Sequence, residues 1–179
     1  MTDLSLRLAV AQTIARDLGA LALDYFNSRD KLGITMKGAQ DWLTVADGMV
    51  ETEFRKRIAE VFPDDSVMGE EQGGGAADRL WIIDPIDGTA NFAHGDRQWC
   101  VSIGYLDRGE PVLGILNAPA MEELYIARKG HGAFLNGARL KPSDTTAMNR
   151  ATLEIGWSNR RPLDEYLRLV RRAFEAGAN

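Results

Sequence analysis

Two aspartates at a spacing of three are the residues of this chain best suited to chemistry. Asp84 and Asp87 follow an apolar run at residues 81–83, which predicts a short strand buried on both faces. Pro85 disfavours helical backbone at Asp84, so we expect the strand to break there, and Gly88 with Thr89 can begin a helix. Two carboxylates at the end of a buried strand, beside the amides of a helix start, suit a cation and a phosphate group.

These acids also have a structural interpretation. Aspartates commonly cap backbone amides in turns, and a bare D-x-x-D motif carries a high risk of a false match. Asp47 lies three residues after Thr44, which is the spacing of a capping box at the start of a second helix. A carboxylate at that position stabilises a helix start without any cation. The residue types alone therefore leave capping and cation binding open.

Three short motifs occur in order along the chain. The first, Asp-x-x-Thr-x-x-Asp, covers residues 41–47, and the second, an apolar strand ending in Gly-Glu-Glu, covers residues 66–71. The third covers residues 81–92 and matches every fixed position of the pattern W-I-x-D-P-[IL]-D-G-T-x-N-F. All three resemble the motifs of the inositol monophosphatase family, which are Mg²⁺-dependent, lithium-sensitive phosphomonoesterases. The resemblance runs from the first helix to about Trp157.

The resemblance implies which groups hold the metal. Mg²⁺ would be bound by the carboxylates of Glu70, Asp84 and Asp87 and by the backbone carbonyl of Ile86. Side chains alternate along an extended chain, so only one of two adjacent glutamates can readily point into a given site. The resemblance assigns that position to Glu70 rather than to Glu71.

The same resemblance implies the catalytic groups and the reaction. Glu70 and Thr89 would orient and deprotonate the water that attacks phosphorus in line, and Asp47 would lie at the edge of the metal cluster. Inositol monophosphate is the leading substrate, and histidinol phosphate or another sugar-type phosphate is the alternative. Substrate contacts are implied for Glu70, Ile86, Asp87, Gly88 and Thr89.

One motif of the family has no match in this sequence. The family carries a later Trp-Asp-x-x-Ala-Gly motif whose aspartate is a further metal ligand, whereas the four tryptophans here are followed by Leu, Ile, Cys and Ser. The chain therefore resembles the N-terminal two thirds of a phosphatase. A second hypothesis is a non-catalytic fragment that retains a partial metal and phosphate site.

The order of predicted elements indicates the fold class. A first helix begins near Asp3, with Arg7 facing water, and after the second helix short strands suit antiparallel hairpins. A strand over residues 152–157 then leads into a helix opened by Pro162. This order predicts α+β leading into α/β. The resemblance implies a layered αβαβα sandwich of the inositol monophosphatase and fructose-1,6-bisphosphatase type, C-terminally incomplete.

The predicted elements also divide the chain. Residues 1–145 would form an N-terminal α+β domain that carries the metal and phosphate motifs. Residues 146–179 would form the first strand–helix unit of a C-terminal α/β domain. The apolar strand predicted at residues 152–157 would then border an unpaired sheet edge, which favours a homo-oligomer, with a homodimer as the simplest form.

Composition narrows the compartment and the partners. The net charge of −5 argues against nucleic acid, which favours a basic surface, but not against a small phosphorylated substrate. Cys100 is the only cysteine, so a reducing cytoplasm is the simplest compartment. We expect no leader and no membrane span, because no apolar run reaches the required length.

Overall fold

The computed structural model describes residues 3–28, 35–38, 41–43, 45–156 and 161–178. Two compact units are formed, Met1–Leu140 and Lys141–Asn179. The division falls after Leu140 rather than after residue 145, and the two-domain assignment made from the sequence stays a prediction. Within the described residues, no helix has both the length and the apolar surface needed to cross a bilayer.

Two long helices form one layer of the first unit. Helix α1 spans Asp3–Asn27 and α2 spans Val45–Val61, as the apolar periodicity predicts. Their buried faces carry small, branched and aromatic residues at helical spacing, among them Ala11, Leu18 and Phe54. Helix α1 packs on α2, and both pack on the same sheet. Thr44, the predicted N-cap of α2, lies outside the described residues.

A seven-stranded sheet forms the second layer. Its strands follow one another across the sheet in chain order, and only the first pair is parallel among the described strands. A separate antiparallel pair, β1 and β2, precedes α2. The strands are β1 (Thr35–Gly38), β2 (Asp41–Leu43), β3 (Ser66–Gly69), β4 (Arg79–Asp87), β5 (Cys100–Asp107), β6 (Glu110–Ala118), β7 (Glu123–Arg128), β8 (Gly132–Leu135) and β9 (Ala138–Arg139).

The two faces of the sheet have different surroundings. Because side chains alternate along each strand, Trp81, Ile103 and Ile115 point beneath α1 and α2 and are buried. The opposite face lines an open groove of about 780 Å³, whose walls include Ile82, Gly104, Gly114, Leu116 and Tyr125. At one end the groove also reaches Glu70 and Asp84. The sheet therefore has one packed face and one largely uncovered face.

A buried ion pair between Arg7 and Asp65 connects α1 to the loop that follows α2. Arg7 of α1 is 2% exposed and donates to both carboxylate oxygens of Asp65 at 2.9 Å. Trp81 Nε1 donates to the same carboxylate at 3.0 Å, and the Arg7 guanidinium lies over the rings of Phe62 and Tyr105. The interpretation of Arg7 as a water-facing residue is wrong because this buried carboxylate balances its charge.

The central strand is longer than predicted. Strand β4 does not break at Asp84 but continues to Asp87, with Asp84 opposite Ser102 and Asp87 opposite Cys100. An irregularity in the register between the two aspartates accommodates Pro85, which cannot donate to the ladder. Ile82 is only half-buried, so the strand is not buried on both faces.

The second unit contains the predicted helix but not the predicted strand. Helix α4 spans Leu163–Glu175 directly after Pro162, as expected. Residues 151–156 have no regular structure, and Trp157 lies outside the described residues. A strand needs a partner for its backbone amides and carbonyls, and the described part of this unit contains no other strand. The apolar alternation at 152–157 therefore gave a wrong strand prediction.

Candidate active site

Strands β3 and β4 bring Glu70 next to Asp84. The two strands are parallel, with Gly69 opposite Ile83, and the Glu70 amide donates to the Ile83 carbonyl at 3.2 Å. The next residue of β4 is Asp84, whose carboxyl group lies close enough to Glu70 for a side-chain hydrogen bond. Glu70 and Asp84, which are distant in the sequence, thus meet because their strands are neighbours in the sheet.

The Asp84 carboxyl group is in a strongly anionic environment. Burial first, and then the negative charges of Glu70 and Asp87, raise its pKa from 3.8 to about 7. A hydrogen bond that the protonated Asp84 carboxyl group donates to Glu70, and the negative charge of Asp47, also raise this pKa. Three of the acids singled out in the sequence, Glu70, Asp87 and Asp47, therefore act on the fourth, Asp84.

The arrangement has the chemistry that a hard cation requires. Asp84 Oδ1 is buried and has no hydrogen-bond partner among the described residues. A cation beside this oxygen would satisfy it and would relieve the repulsion that raises the pKa of Asp84. Across the described ranges, however, no three His, Cys, Asp or Glu side chains converge closely enough to form a metal cluster by themselves. The predicted ligand set of Glu70, Asp84, Asp87 and the Ile86 carbonyl stays a prediction.

Residues after Asp87 form a tight turn into a short helix. Helix α3 spans Thr89–His94, which confirms the predicted helix start, and Gly88 precedes it with φ of 93°. A Cβ on Gly88 would lie 2.9 Å from the Gln98 carbonyl oxygen, so both conformation and space favour glycine. The Thr89 hydroxyl donates to the Ile86 carbonyl at 2.9 Å. The two groups expected to serve catalysis and metal binding are thus in direct contact.

Asp47 combines features of both interpretations. It lies in the first turn of α2, as the capping hypothesis requires, and is 2% exposed. Its charge nevertheless contributes to the raised pKa of Asp84, which places it within electrostatic reach of the other acids. Its assignment as a catalytic residue stays a prediction.

Two residues of α2 near the site were not found from the sequence. Glu51 is fully buried and accepts hydrogen bonds from the backbone amides of Glu71 and Gln72, and Arg55 donates to the same carboxylate. At a spacing of four the pair is typical of a solvent-exposed helix surface, so the sequence signal points elsewhere. The only indication is that Glu51 adjoins the apolar stripe of Val50 and Phe54.

Cys100 lies at the edge of the same anionic region. Burial raises the pKa of its thiol to about 11, and the charges of Asp87 and Asp84 act in the same direction. A thiol with so high a pKa is protonated at neutral pH and is a poor nucleophile. The geometry therefore supports no nucleophilic role for Cys100.

Comparisons with known proteins agree with the motifs. The sequence profile described as the inositol monophosphatase family matches residues 3–178. A fructose-1,6-bisphosphatase/inositol-1-monophosphatase of Aquifex aeolicus is 33% identical over 178 residues, covering 97% of this chain and 67% of the relative. A histidinol-phosphatase of Chlorobaculum parvum is 40% identical over 151 residues, covering 82% of this chain and 57% of the relative.

The fold agrees as well. The crystal structure of the extragenic suppressor protein suhB from Bartonella henselae superposes with a TM-score of 0.90 at 25% identity, covering 95% of this chain and 67% of that chain. The layered sandwich implied by the motifs is thereby confirmed, and the chain spans about two thirds of the relative's length. On the profile match and these similarities, the chain belongs to the inositol monophosphatase family.

Proposed function

We propose that this chain carries the metal-binding and water-activating part of a Mg²⁺-dependent phosphomonoesterase that acts on a small phosphorylated alcohol. The observation that carries the proposal is the contact between Glu70 and Asp84, with the pKa of Asp84 raised to about 7 by burial and surrounding acids. Such a group in a cleft is a candidate functional site on physical grounds.

The metal would be held by oxygen atoms of four residues. Glu70, Asp84, Asp87 and the carbonyl of Ile86 would supply the hard ligands that Mg²⁺ prefers. Support comes from Asp84 Oδ1, which is buried and has no hydrogen-bond partner among the described residues. Bound Mg²⁺ supplies positive charge that stabilises the phosphoryl oxygens and the leaving group and acidifies water.

The chain's own residues handle the proton and the phosphate. Glu70 is exposed beside Asp84 and can accept a proton from the attacking water. The Thr89 hydroxyl donates to the Ile86 carbonyl, and its oxygen can then accept a hydrogen bond from that water and orient it. Gly88, without a side chain, lets the backbone approach a phosphate oxygen closely.

Inositol monophosphate is the substrate we propose first, with histidinol phosphate or another sugar-type phosphate next. The names of the relatives include a fructose-1,6-bisphosphatase/inositol-1-monophosphatase and a histidinol-phosphatase, so the family name alone does not select one alcohol. A cytoplasmic location and a homodimeric assembly accompany this proposal as predictions from the sequence.

A second candidate is a non-catalytic fragment with a partial site. One observation favours it: the acids of the described residues do not form a group of three at metal-binding geometry. Such a fragment would bind Mg²⁺ weakly and release no phosphate.

Phosphate release over a panel of phosphomonoesters, with and without Mg²⁺, separates the two candidates. Inositol monophosphate, histidinol phosphate and fructose 1,6-bisphosphate should be included. We expect Mg²⁺-dependent release that Asp84→Asn abolishes and that Asp78→Asn, an exposed aspartate before the same strand, leaves intact. If neither the unaltered chain nor Asp78→Asn releases phosphate although both bind Mg²⁺ measurably, the result would instead support the non-catalytic fragment.

A further inference from the structure

Glu51 holds the turn that carries Glu70. Its Oε2 accepts from the Glu71 amide at 2.8 Å, and its Oε1 accepts from the Gln72 amide at 3.1 Å. The residue is 0% exposed, and a buried carboxylate is costly unless hydrogen-bond donors compensate for it. The two amides that follow Glu70 are therefore tied to helix α2 by a single side chain.

Arg55, one turn later in α2, contacts both Glu51 and the backbone on either side of the turn. Its Nε donates to Glu51 Oε1 at 2.9 Å, and its terminal nitrogens donate to the carbonyls of Val67 and Gly73. Val67 precedes the turn and Gly73 follows it, so one guanidinium spans both sides. The positive charge of Arg55 also balances the buried carboxylate.

The backbone of the turn is shaped around the Glu51 carboxylate. Gly69 and Gly73 exchange two backbone hydrogen bonds of 2.9 and 3.0 Å, closing the turn on itself. A Cβ at Gly69 would lie 2.1 Å from Glu51 Oε1, so the carboxylate occupies the space where a side chain would be. Within this narrow turn the Glu70 amide donates to the Ile83 carbonyl, and the next amide, that of Glu71, donates to the Glu51 carboxylate.

We propose that Glu51, balanced by Arg55, is a positioning residue that fixes Glu70 opposite Asp84 and thereby sets the affinity for Mg²⁺. The inference rests on the proposed function. Helix α2 then acts on the site twice, because Asp47 lies one turn before Glu51 and influences Asp84 directly. A role confined to stability would lower the melting temperature without changing the metal affinity of the folded protein.

The test compares Glu51→Gln with Glu53→Gln in the full chain. Glutamine keeps one acceptor oxygen but presents an amide to the second donor, whereas Glu53 pairs only with Lys56 at 3.6 Å among the described contacts and serves as the matched control. Mg²⁺ affinity is measured by isothermal titration, and amide hydrogen exchange is measured for residues 70–73. Circular dichroism confirms that each variant is folded.

We expect Glu51→Gln to weaken Mg²⁺ binding by about 10- to 100-fold, as supporting residues of metal sites typically do. Exchange at residues 70–73 should become faster, while Glu53→Gln behaves as the unaltered chain. Glu51→Asp and Arg55→Lys retain the charges but make shorter or fewer contacts, so we expect smaller losses of Mg²⁺ affinity. These two variants replace Glu51→Gln in the test if that variant does not fold.

Asp84→Asn separates failure of this inference from failure of the proposed function. Weak Mg²⁺ binding by Asp84→Asn together with unchanged binding by Glu51→Gln would overturn the positioning role alone. Unchanged binding by both variants would overturn the proposed metal site as well. Unchanged exchange over residues 70–73 in Glu51→Gln would show that the carboxylate does not hold the turn.

Discussion

The two units of this chain use apolar residues in opposite ways. In Met1–Leu140 the aromatic side chains are packed against one another, with Trp81 and Phe92 fully buried. In Lys141–Asn179 the apolar side of α4 is open, since Leu167 is 51% exposed and Phe174 is 70% exposed. Both units contain helices whose sequences are amphipathic, so an amphipathic sequence determines that a helix forms but not that its apolar face is buried. Burial requires a second layer, which only the first unit has among the described residues.

The largest expected effect comes from breaking the buried ion pair of the first unit. Asp65→Ala removes the buried carboxylate partner of Arg7 and leaves the guanidinium paired with the largely exposed carboxylate of Asp3. We expect the free energy of unfolding to fall by about 3–5 kcal/mol. Urea denaturation measures it, with the neighbouring, largely exposed Asp64→Ala as the control. Equal losses in the two variants would contradict a special role for the buried pair.

A matched pair of leucines compares the units directly. Leu18 of α1 is 1% exposed and Leu167 of α4 is 51% exposed. Leu18→Ala should lower the free energy of unfolding by about 2–5 kcal/mol because it leaves a cavity. Leu167→Ala should change it by less than about 0.5 kcal/mol because the side chain is largely solvated. A comparable loss at Leu167 would show that the face of α4 is covered in solution.

The third prediction concerns the stability of the folded chain at Asp84 without added metal. Its pKa is raised by burial and neighbouring acids from 3.8 to about 7, so between these values the folded chain keeps a proton that the unfolded chain releases. Folding stability therefore falls as the pH rises through this window. Asp84→Asn mimics the protonated form, and its melting temperature in EDTA should exceed that of the unaltered chain.

The difference has a defined pH dependence. The difference in melting temperature between Asp84→Asn and the unaltered chain should appear above about pH 4 and reach its full size near pH 7. It should stay constant at higher pH, because Asp84 is then deprotonated in both the folded and the unfolded chain. Thermal melts at pH 4, 6 and 8 measure it. A variant less stable than the unaltered chain at pH 8 would contradict the like-charge environment of Asp84.

Local patterns predicted the elements whose stability is local. The apolar spacing that predicts α1 and α2 is a property of short segments. The strand predicted at residues 152–157 did not form, because a strand depends on a partner that no local pattern supplies.

The site shows the same limit. Motif resemblance located Glu70, Asp84 and Asp87, and the parallel register of β3 and β4 explains why the first two meet. Glu51 and Arg55 escaped notice because an i, i+4 acid–base pair is the usual pattern of an exposed helix surface. Their burial follows from where the Gly69 turn lies against α2, which is a tertiary property.

The order of strands has a consequence for the rate of folding. Because β4 to β9 follow one another across the sheet in chain order, their contacts join residues close in sequence, and such contacts form quickly. The contact of Asn117 Nδ2 with the Ala15 carbonyl, at 2.7 Å, instead spans more than half the chain. We therefore expect the meander to form early and α1 to dock late, so that truncating Asn117 speeds unfolding more than it slows refolding.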